Sequence, residues 1–295
     1  MRVHFCGVRG STPAPGLPFV RYGGHTSCVA LAHDGRRPSL ILDAGTGLRR
    51  VSALVDDEPF DGTILLGHLH WDHVHGLPFF RSGCAAGARV AVHLPAPEGD
   101  PVGVLARGMS PPHFPIGPQQ LGDGWTFHSL ATGSFDAEGF TVTALEIPHK
   151  GGLTFGFRVT DSRSTIAYLS DHWPTSLGAG PDGLGALHDS ALALADEVDL
   201  LIHDAQFEAE QFPGVDFLGH ASVEYAVSLA RAAGAHRLAL YHHAPDRTDA
   251  EIDRITAAAQ GHGVAVIAAA ESTELDLPHP LARHSHPEVI TSRLT

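Results

Sequence analysis

Apolar positions come in short alternating or unbroken runs over the first 170 residues, and then strand-like runs begin to alternate with helical spacing. The runs at 3–8, 29–31, 40–42, 63–67, 89–94, 126–130, 140–147, 153–159 and 165–169 predict strands. Asp34-Gly35 and Asp161-Ser162-Arg163 predict hairpin turns. Leu48, Val51, Leu54 and Val55 share one helical face and predict a helix over 46–56. A helix over 184–196 and a strand over 198–203 follow. Ser222 caps a helix to Ala233, with Val223, Ala226, Val227 and Ala230 inward and Gly234 ending it. Leu238-Ala239-Leu240 reads as a strand. Thr248 and Glu251 form a capping-box pattern for a helix through Ile252 and Ile255 to about Gln260. A strand at 264–269 closes the regular part.

Strands first, then strands alternating with helices, predict a layered α/β protein with no clear linker between two domains. The expected division is one domain over 1–277 and a tail over 278–295. The tail holds two His-Pro steps and little periodicity, and reads as poorly ordered or as a partner-binding arm. Residues 95–124 are rich in Pro and Gly yet carry Met109, His113, Phe114 and Ile116. They predict a long loop that walls or covers a substrate site, with a surface crossover as the alternative.

Composition narrows the partners. A 43% hydrophobic and 18% charged chain is that of a folded globular protein. No apolar run reaches the roughly 18 residues of a membrane span, so no membrane partner is expected. Met1-Arg2-Val3-His4-Phe5-Cys6 alternates like a strand rather than a signal peptide. Cys6, Cys28 and Cys84 are odd in number and lack CxxC spacing, which predicts buried thiols in a reduced, cytoplasmic compartment. Nineteen basic against thirty-three acidic residues give a formal charge of −14. That balance predicts no polymeric nucleic acid partner, because phosphate contacts need clustered Lys and Arg. A small anionic ligand stays compatible, because metal ions supply local positive charge.

The candidate chemistry starts at His68-Leu69-His70-Trp71-Asp72-His73, straight after the apolar run Thr63-Ile64-Leu65-Leu66. Imidazole suits zinc, manganese and iron, and a carboxylate supports the harder metals. Residues two apart on an extended segment share a face, so His68 and His70 can grip one ion. A tight turn after Trp71 sends Asp72 and His73 toward a second. Paired ions about 3.5–4 Å apart can hold an attacking hydroxide and a substrate oxygen together. Three more strands end in metal-competent residues: Ile147-Pro148-His149, Leu169-Ser170-Asp171-His172 and Leu240-Tyr241-His242-His243. Chance is a real competitor, because the chain holds 22 histidines.

Taken in order, these motifs resemble the metallo-β-lactamase superfamily, in the branch of ribonuclease Z and its cyclic nucleotide phosphodiesterase relatives. The resemblance spans roughly residues 1–276. It implies an αββα sandwich of two mixed β-sheets flanked by helices, with the site along the edge where the sheets meet. It implies two divalent ions, zinc or manganese: His68, His70 and His149 on one, Asp72, His73 and His242 on the other, and Asp171 bridging. His242 is preferred to His243 on its His-x-x-Pro spacing to Pro245. Gly219-His220-Ala221-Ser222 resembles a ribonuclease Z feature in which the histidine acts on the phosphate, and Asp204 matches the acid that orients it. Asp72 can also steer the nucleophile, while Asp43, in Asp-Ala-Gly-Thr-Gly, organises the loop beneath the metals.

Only 21 residues separate His149 from Asp171, which leaves no room there for the tRNA-gripping arm of ribonuclease Z. Arg9-Gly10-Ser11-Thr12-Pro13 and Tyr22-Gly23-Gly24-His25-Thr26-Ser27-Cys28 look more like the small-substrate relatives. The expected activity is therefore metal-dependent hydrolysis of a small phosphodiester such as a 3′,5′-cyclic nucleotide, with His113 or Phe114 stacking on a base. The alternatives are hydrolysis of a carboxylic ester, thioester or lactone, a ribonuclease Z-like endoribonuclease, and a metal-dependent sensor without turnover. A homodimer is expected from the resemblance alone.

Overall fold

The computed structural model describes residues 1–277 and 290–291. Two mixed sheets lie face to face. The first has eight strands in the order Ile290–Thr291, Thr273–Asp276, Arg2–Gly7, Cys28–Ala32, Leu40–Leu42, Asp61–Leu65, Arg89–Pro95 and Trp125–Leu130. The second has seven, in the order Ala265–Ala268, Arg237–Tyr241, Leu200–Asp204, Thr165–Leu169, Phe155–Thr160, Phe140–Glu146 and Gly133–Ala137. Each sheet is antiparallel in one half and parallel in the other.

Alternation along the strands builds the layers. In Thr165–Leu169, Ile166 and Tyr168 enter the core between the sheets, while Ala167 and Leu169 face the helices outside. Val3, Phe5, Leu31, Leu42 and Leu65 meet Val142, Phe157, Val159, Ile202 and Tyr241 across the interface. Helices Asp189–Ala195, Val223–Ala232 and Asp249–Ala258 cover the outside of the second sheet. Burying apolar side chains on both faces contributes roughly 1.5–3 kcal/mol for each large one. The arrangement is the expected αββα sandwich.

The parallel halves position the site. Leu42 registers with Leu65 in the first sheet, and Leu169 with His203 and Leu240 in the second. Parallel strands end on the same edge, so the loops after residues 42, 65, 169, 204 and 241 converge there.

Local chemistry accounts for several differences from the sequence expectations. Residues 46–56 form a 3-10 turn, Thr46–Arg50, and one α-helical turn, Val51–Leu54; Asp56 and Asp57, both at positive φ, end it. The 95–124 segment is not a plain loop. It holds the helix Pro101–Ala106, capped by Asp100, which accepts from Gly103 N. Proline reads as a breaker but fits a first helical turn, where its missing N–H is no loss. The helix expected at 184–196 starts only at Asp189. Gly133–Ala137 is a further strand, paired to Phe140–Glu146 through Glu138-Gly139, both at positive φ. Thr273–Asp276 is another, zipped against Arg2–Gly7. The proposed tail at 278–295 lies outside the described residues, apart from Ile290–Thr291, which pairs with Thr273–Asp276. Among the described residues, no helix is long and apolar enough to cross a membrane.

Candidate active site

The strand Asp61–Leu65 delivers its loop to the converging edge. His68 and His70 follow in the loop, and His70 has extended backbone. A short helix, Trp71–Val74, takes the place of the expected tight turn, with His70 as its N-cap at φ −64° and ψ 154°. Asp72 and His73 lie in its first turn, which turns them away from His70.

Two groups form around a shared carboxylate. The rings of His70 and His149 lie 4.4 and 4.8 Å from that of His68, and His149 Nε2 is 3.2 Å from His70 Nδ1. His73 Nε2 is 3.2 Å from Asp72 Oδ2, and His242 Nε2 is 3.1 Å from the same oxygen. Asp171 stands between them. Its Oδ1 faces His68 and His149 at 3.9 and 3.6 Å, and its Oδ2 faces His73 and His242 at 3.0 and 3.4 Å. Within each of the sets His68/His70/His149, His68/His73/Asp171 and Asp72/His73/His242, the donor atoms lie within 4.8 Å of one another.

The local fold fixes each side chain. Asp43 is fully buried and accepts from Gly67 N (2.8 Å), Tyr168 Oη (2.7 Å) and Ser170 Oγ (3.2 Å), while its Oδ2 lies 2.7 Å from His73 Nδ1. That contact leaves His73 Nε2 to point inward. Ser11 N donates to Asp72 Oδ2 at 2.7 Å, and His149 Nδ1 bonds Gly219 O at 2.7 Å. Asp43 and His242 end their strands at φ 59° and 57°, a left-handed backbone uncommon outside glycine. Such strain persists only where surrounding contacts impose it, and here it turns both side chains back to the cluster. Gly10 lies beneath His242: a Cβ there would stand 2.3 Å from the ring nitrogen. His243 faces away, with Nε2 on Ala269 O at 2.9 Å.

Electrostatics fits the donor set to cations. Burial lowers His68, His70 and His149, the last to about 4, so their lone pairs are free at neutral pH. Burial opposes ionisation of Asp72 and Asp171, yet the neighbouring histidines hold both well below the usual carboxylate range. Burial also opposes a charge on His73 and His242. The surrounding carboxylates outweigh it, raising His242 to about 8 and His73 further. These are positions where positive charge is favoured, and a divalent ion can replace the protons. Both ring nitrogens of His68 are buried without a hydrogen-bond partner among the described residues, and His73 Nε2 and Asp171 Oδ2 face each other at 3.0 Å without hydrogen-bond geometry. Orphaned buried polar atoms are rare in folded proteins, and His68 Nε2 beside the His73–Asp171 contact fits a bound metal.

A second pair adjoins the cluster. His220 Nδ1 lies 3.0 Å from Asp204 Oδ2 and 3.6 Å from Asp171 Oδ1. Asp204 ends the strand Leu200–Asp204, where backbone N–H groups of His172, Gln206 and Ala221 hold its carboxylate. Behind it lies a buried string unforeseen in the sequence: His172 bridges His203 and His188 at 3.0 and 2.8 Å.

His113 and Phe114 lie apart from the His/Asp cluster. They line a largely apolar cavity of about 1060 Å³ together with Leu69, Trp71 and Phe79. Leu69 and Trp71 flank His70, so the cavity opens beside the cluster. Trp71 and Phe79 are 69% and 62% exposed; the place of Trp71 inside the histidine motif is the sequence signal that could have found it.

The family described as a beta-lactamase superfamily domain matches residues 39–243. Ribonuclease Z of Salinibacter ruber is 26% identical over 261 residues, 74% of this chain and 79% of that protein. The metallo-beta-lactamase fold protein YhfI from Bacillus subtilis superposes with a TM-score of 0.69 at 19% identity, covering 93% of this chain and 99% of that one. The short form of human tRNase Z gives 0.63 at 23% identity, covering 94% and 100%.

The ribonuclease Z relatives overturn the expectation that polymeric nucleic acid is excluded. Net charge sums the whole surface, whereas a nucleic acid meets one face, where bound metals can set the sign. With its motifs, sheets and strand-end cluster in this order, the chain belongs to the beta-lactamase superfamily.

Proposed function

We propose that this member of the superfamily, a metal-dependent hydrolase, is a phosphodiesterase with a dinuclear site. The observation that carries the reading is the Asp204–His220 pair beside the Asp171-centred cluster. His68, His70 and His149 would hold one divalent ion, Asp72, His73 and His242 the other, and Asp171 both; zinc or manganese suits this donor set. Such a pair supplies Lewis-acid neutralisation of the phosphoryl group and an acidified water.

The chain's own residues do the rest. Asp204 fixes the His220 ring through Nδ1, which leaves Nε2 to donate a proton to the departing oxygen or to a phosphoryl oxygen. Asp43 keeps the His73 proton on Nδ1. Ser11 N–H holds Asp72 in place, and Asp72 orients the attacking water. The apolar cavity supports a substrate with a planar group, which Trp71, Phe79, His113 or Phe114 would stack against.

A 3′,5′-cyclic nucleotide fits this reading as the small substrate. The likeness to ribonuclease Z favours a second form, cleavage of an RNA phosphodiester. The test loads metal-stripped protein with zinc or manganese. It offers bis(p-nitrophenyl) phosphate, cyclic AMP and GMP, a 3′-extended RNA hairpin, an acyl thioester and a lactone. Phosphodiester cleavage that disappears in Asp171→Ala supports the proposal, and the cyclic nucleotide and RNA arms separate its two forms. Thioester or lactone cleavage without phosphodiester cleavage would reject it.

A further inference from the structure

Lys150 is the single lysine in the chain, against 18 arginines. It follows His149 directly and is exposed at the mouth of the cluster. Its backbone is clamped there. Gly219, at φ +91°, has no side chain where a Cβ would stand 2.7 Å from Lys150 Cβ. Gly219 also accepts from His149 and precedes His220. The start of the lysine stem therefore packs on the Gly219 backbone, one residue from each of His149 and His220, whose rings lie 5.2 Å apart.

The ammonium is lightly held. Nζ donates to Phe217 O at 3.0 Å and lies 5.4 Å from the Phe217 ring centroid. Phe217 is itself 55% exposed. Lys150 makes no ion pair with an acid among the described residues, in a chain where acids outnumber bases by 33 to 19. An ammonium has three donors, so one carbonyl leaves two for a ligand. Arg9 and Arg247, near the other side of the cluster, cannot serve. Both are buried, and they donate to the carbonyls of Gly23, Ala244, Arg247 and Gln206.

We propose that Lys150 is the anion contact of the site mouth, its ammonium moving from the Phe217 carbonyl to a phosphoryl oxygen of the substrate. The inference rests on the phosphodiesterase reading. The oxygen belongs either to the scissile group or to a phosphate flanking it.

Two measurements on the full, metal-loaded chain test this. The first incorporates 13C-lysine, which gives one Cε–Hε correlation because there is one lysine, and titrates with thymidine 3′,5′-bisphosphate at constant ionic strength. A saturable shift of that peak is expected. The second compares wild type, Lys150→Gln and Lys150→Arg on p-nitrophenyl thymidine 5′-phosphate, with and without a 3′-phosphate. Loss of a charge-assisted contact raises KM about 10-fold in the glutamine variant, with kcat little changed and partial recovery in arginine. A rise for both substrates assigns the scissile phosphate, and a rise only for the 3′-phosphorylated one assigns the flanking phosphate. An unchanged KM for both overturns the proposal. If wild type cleaves neither, the phosphodiesterase reading falls, and the NMR titration alone decides the lysine contact: a static peak refutes it.

Discussion

Asp43→Asn changes one buried oxygen to NH₂ and keeps the shape. Asp43 Oδ1 accepts from Gly67 N, and Oδ2 serves His73 Nδ1, Tyr168 Oη and Ser170 Oγ. Asparagine satisfies only one of these sides. With its NH₂ toward Gly67, two donors face each other in a fully buried site, which costs about 1–3 kcal/mol. That lowers Tm by about 2 °C per kcal/mol for a chain of this size. With its NH₂ toward His73, the imidazole proton moves to Nε2, the nitrogen facing Asp72 and Asp171, and that ring can no longer ligate. Disturbing such an outer partner weakens metal binding by roughly 10–100-fold. With the proposed pair of ions, the variant is therefore expected to lose affinity for the one held by His73, stability, or both. Competition with a chelating dye gives the metal affinities, and two-bond 1H–15N spectra of the zinc-loaded protein report whether the His73 proton stays on Nδ1, beside Asp43. Two equivalents bound at wild-type affinity, with wild-type Tm and an unchanged His73 spectrum, would refute the reasoning.

His220→Ala is expected to lower kcat for phosphodiesters by roughly 10²–10⁴-fold with metal content unchanged, measured by steady-state kinetics and metal analysis; full turnover would remove His220 from the chemistry. His242→Ala should lower bound metal, whereas His243→Gln should lose only the contact to Ala269 O, about 1 kcal/mol of stability; equal metal loss in both would contradict the geometry. Burial, with help from Arg2, depresses His4 from 6.5 to about 4. Its neutral form is the native one, so its contribution is present above pH 6.5 and is lost as pH falls from 6.5 through 4. The loss reaches about 3 kcal/mol at most. Urea melts of wild type and His4→Gln across pH 4–7 should therefore show wild type losing up to about 3 kcal/mol more than the variant toward acid, and parallel curves would exclude His4.

Period-two runs and capping signals are local, and they survive in the structure. Ser222 accepts from Tyr225 N, and Thr248 and Glu251 cap each other as their spacing predicts. The His68–His73 motif and the strand-end His149, Asp171 and His242 were legible because strands deliver their loops to one edge. What the sequence could not contain is distance. Thr273–Asp276 becomes a strand only because Arg2–Gly7 offers its edge, 270 residues away in the chain. Proline at the start of Pro101–Ala106 looks the same in a loop as in a helix. Adjacent His242 and His243 are chemically identical until the left-handed backbone at 242 turns one inward and leaves the other on Ala269. Tyr168 and Ser170 gain their contact with Asp43 only when the two sheets close on each other. The chain by itself determined which residues can bind a cation; packing of the sheets decided which nitrogens and oxygens face one another, because that depends on contacts between segments far apart in sequence.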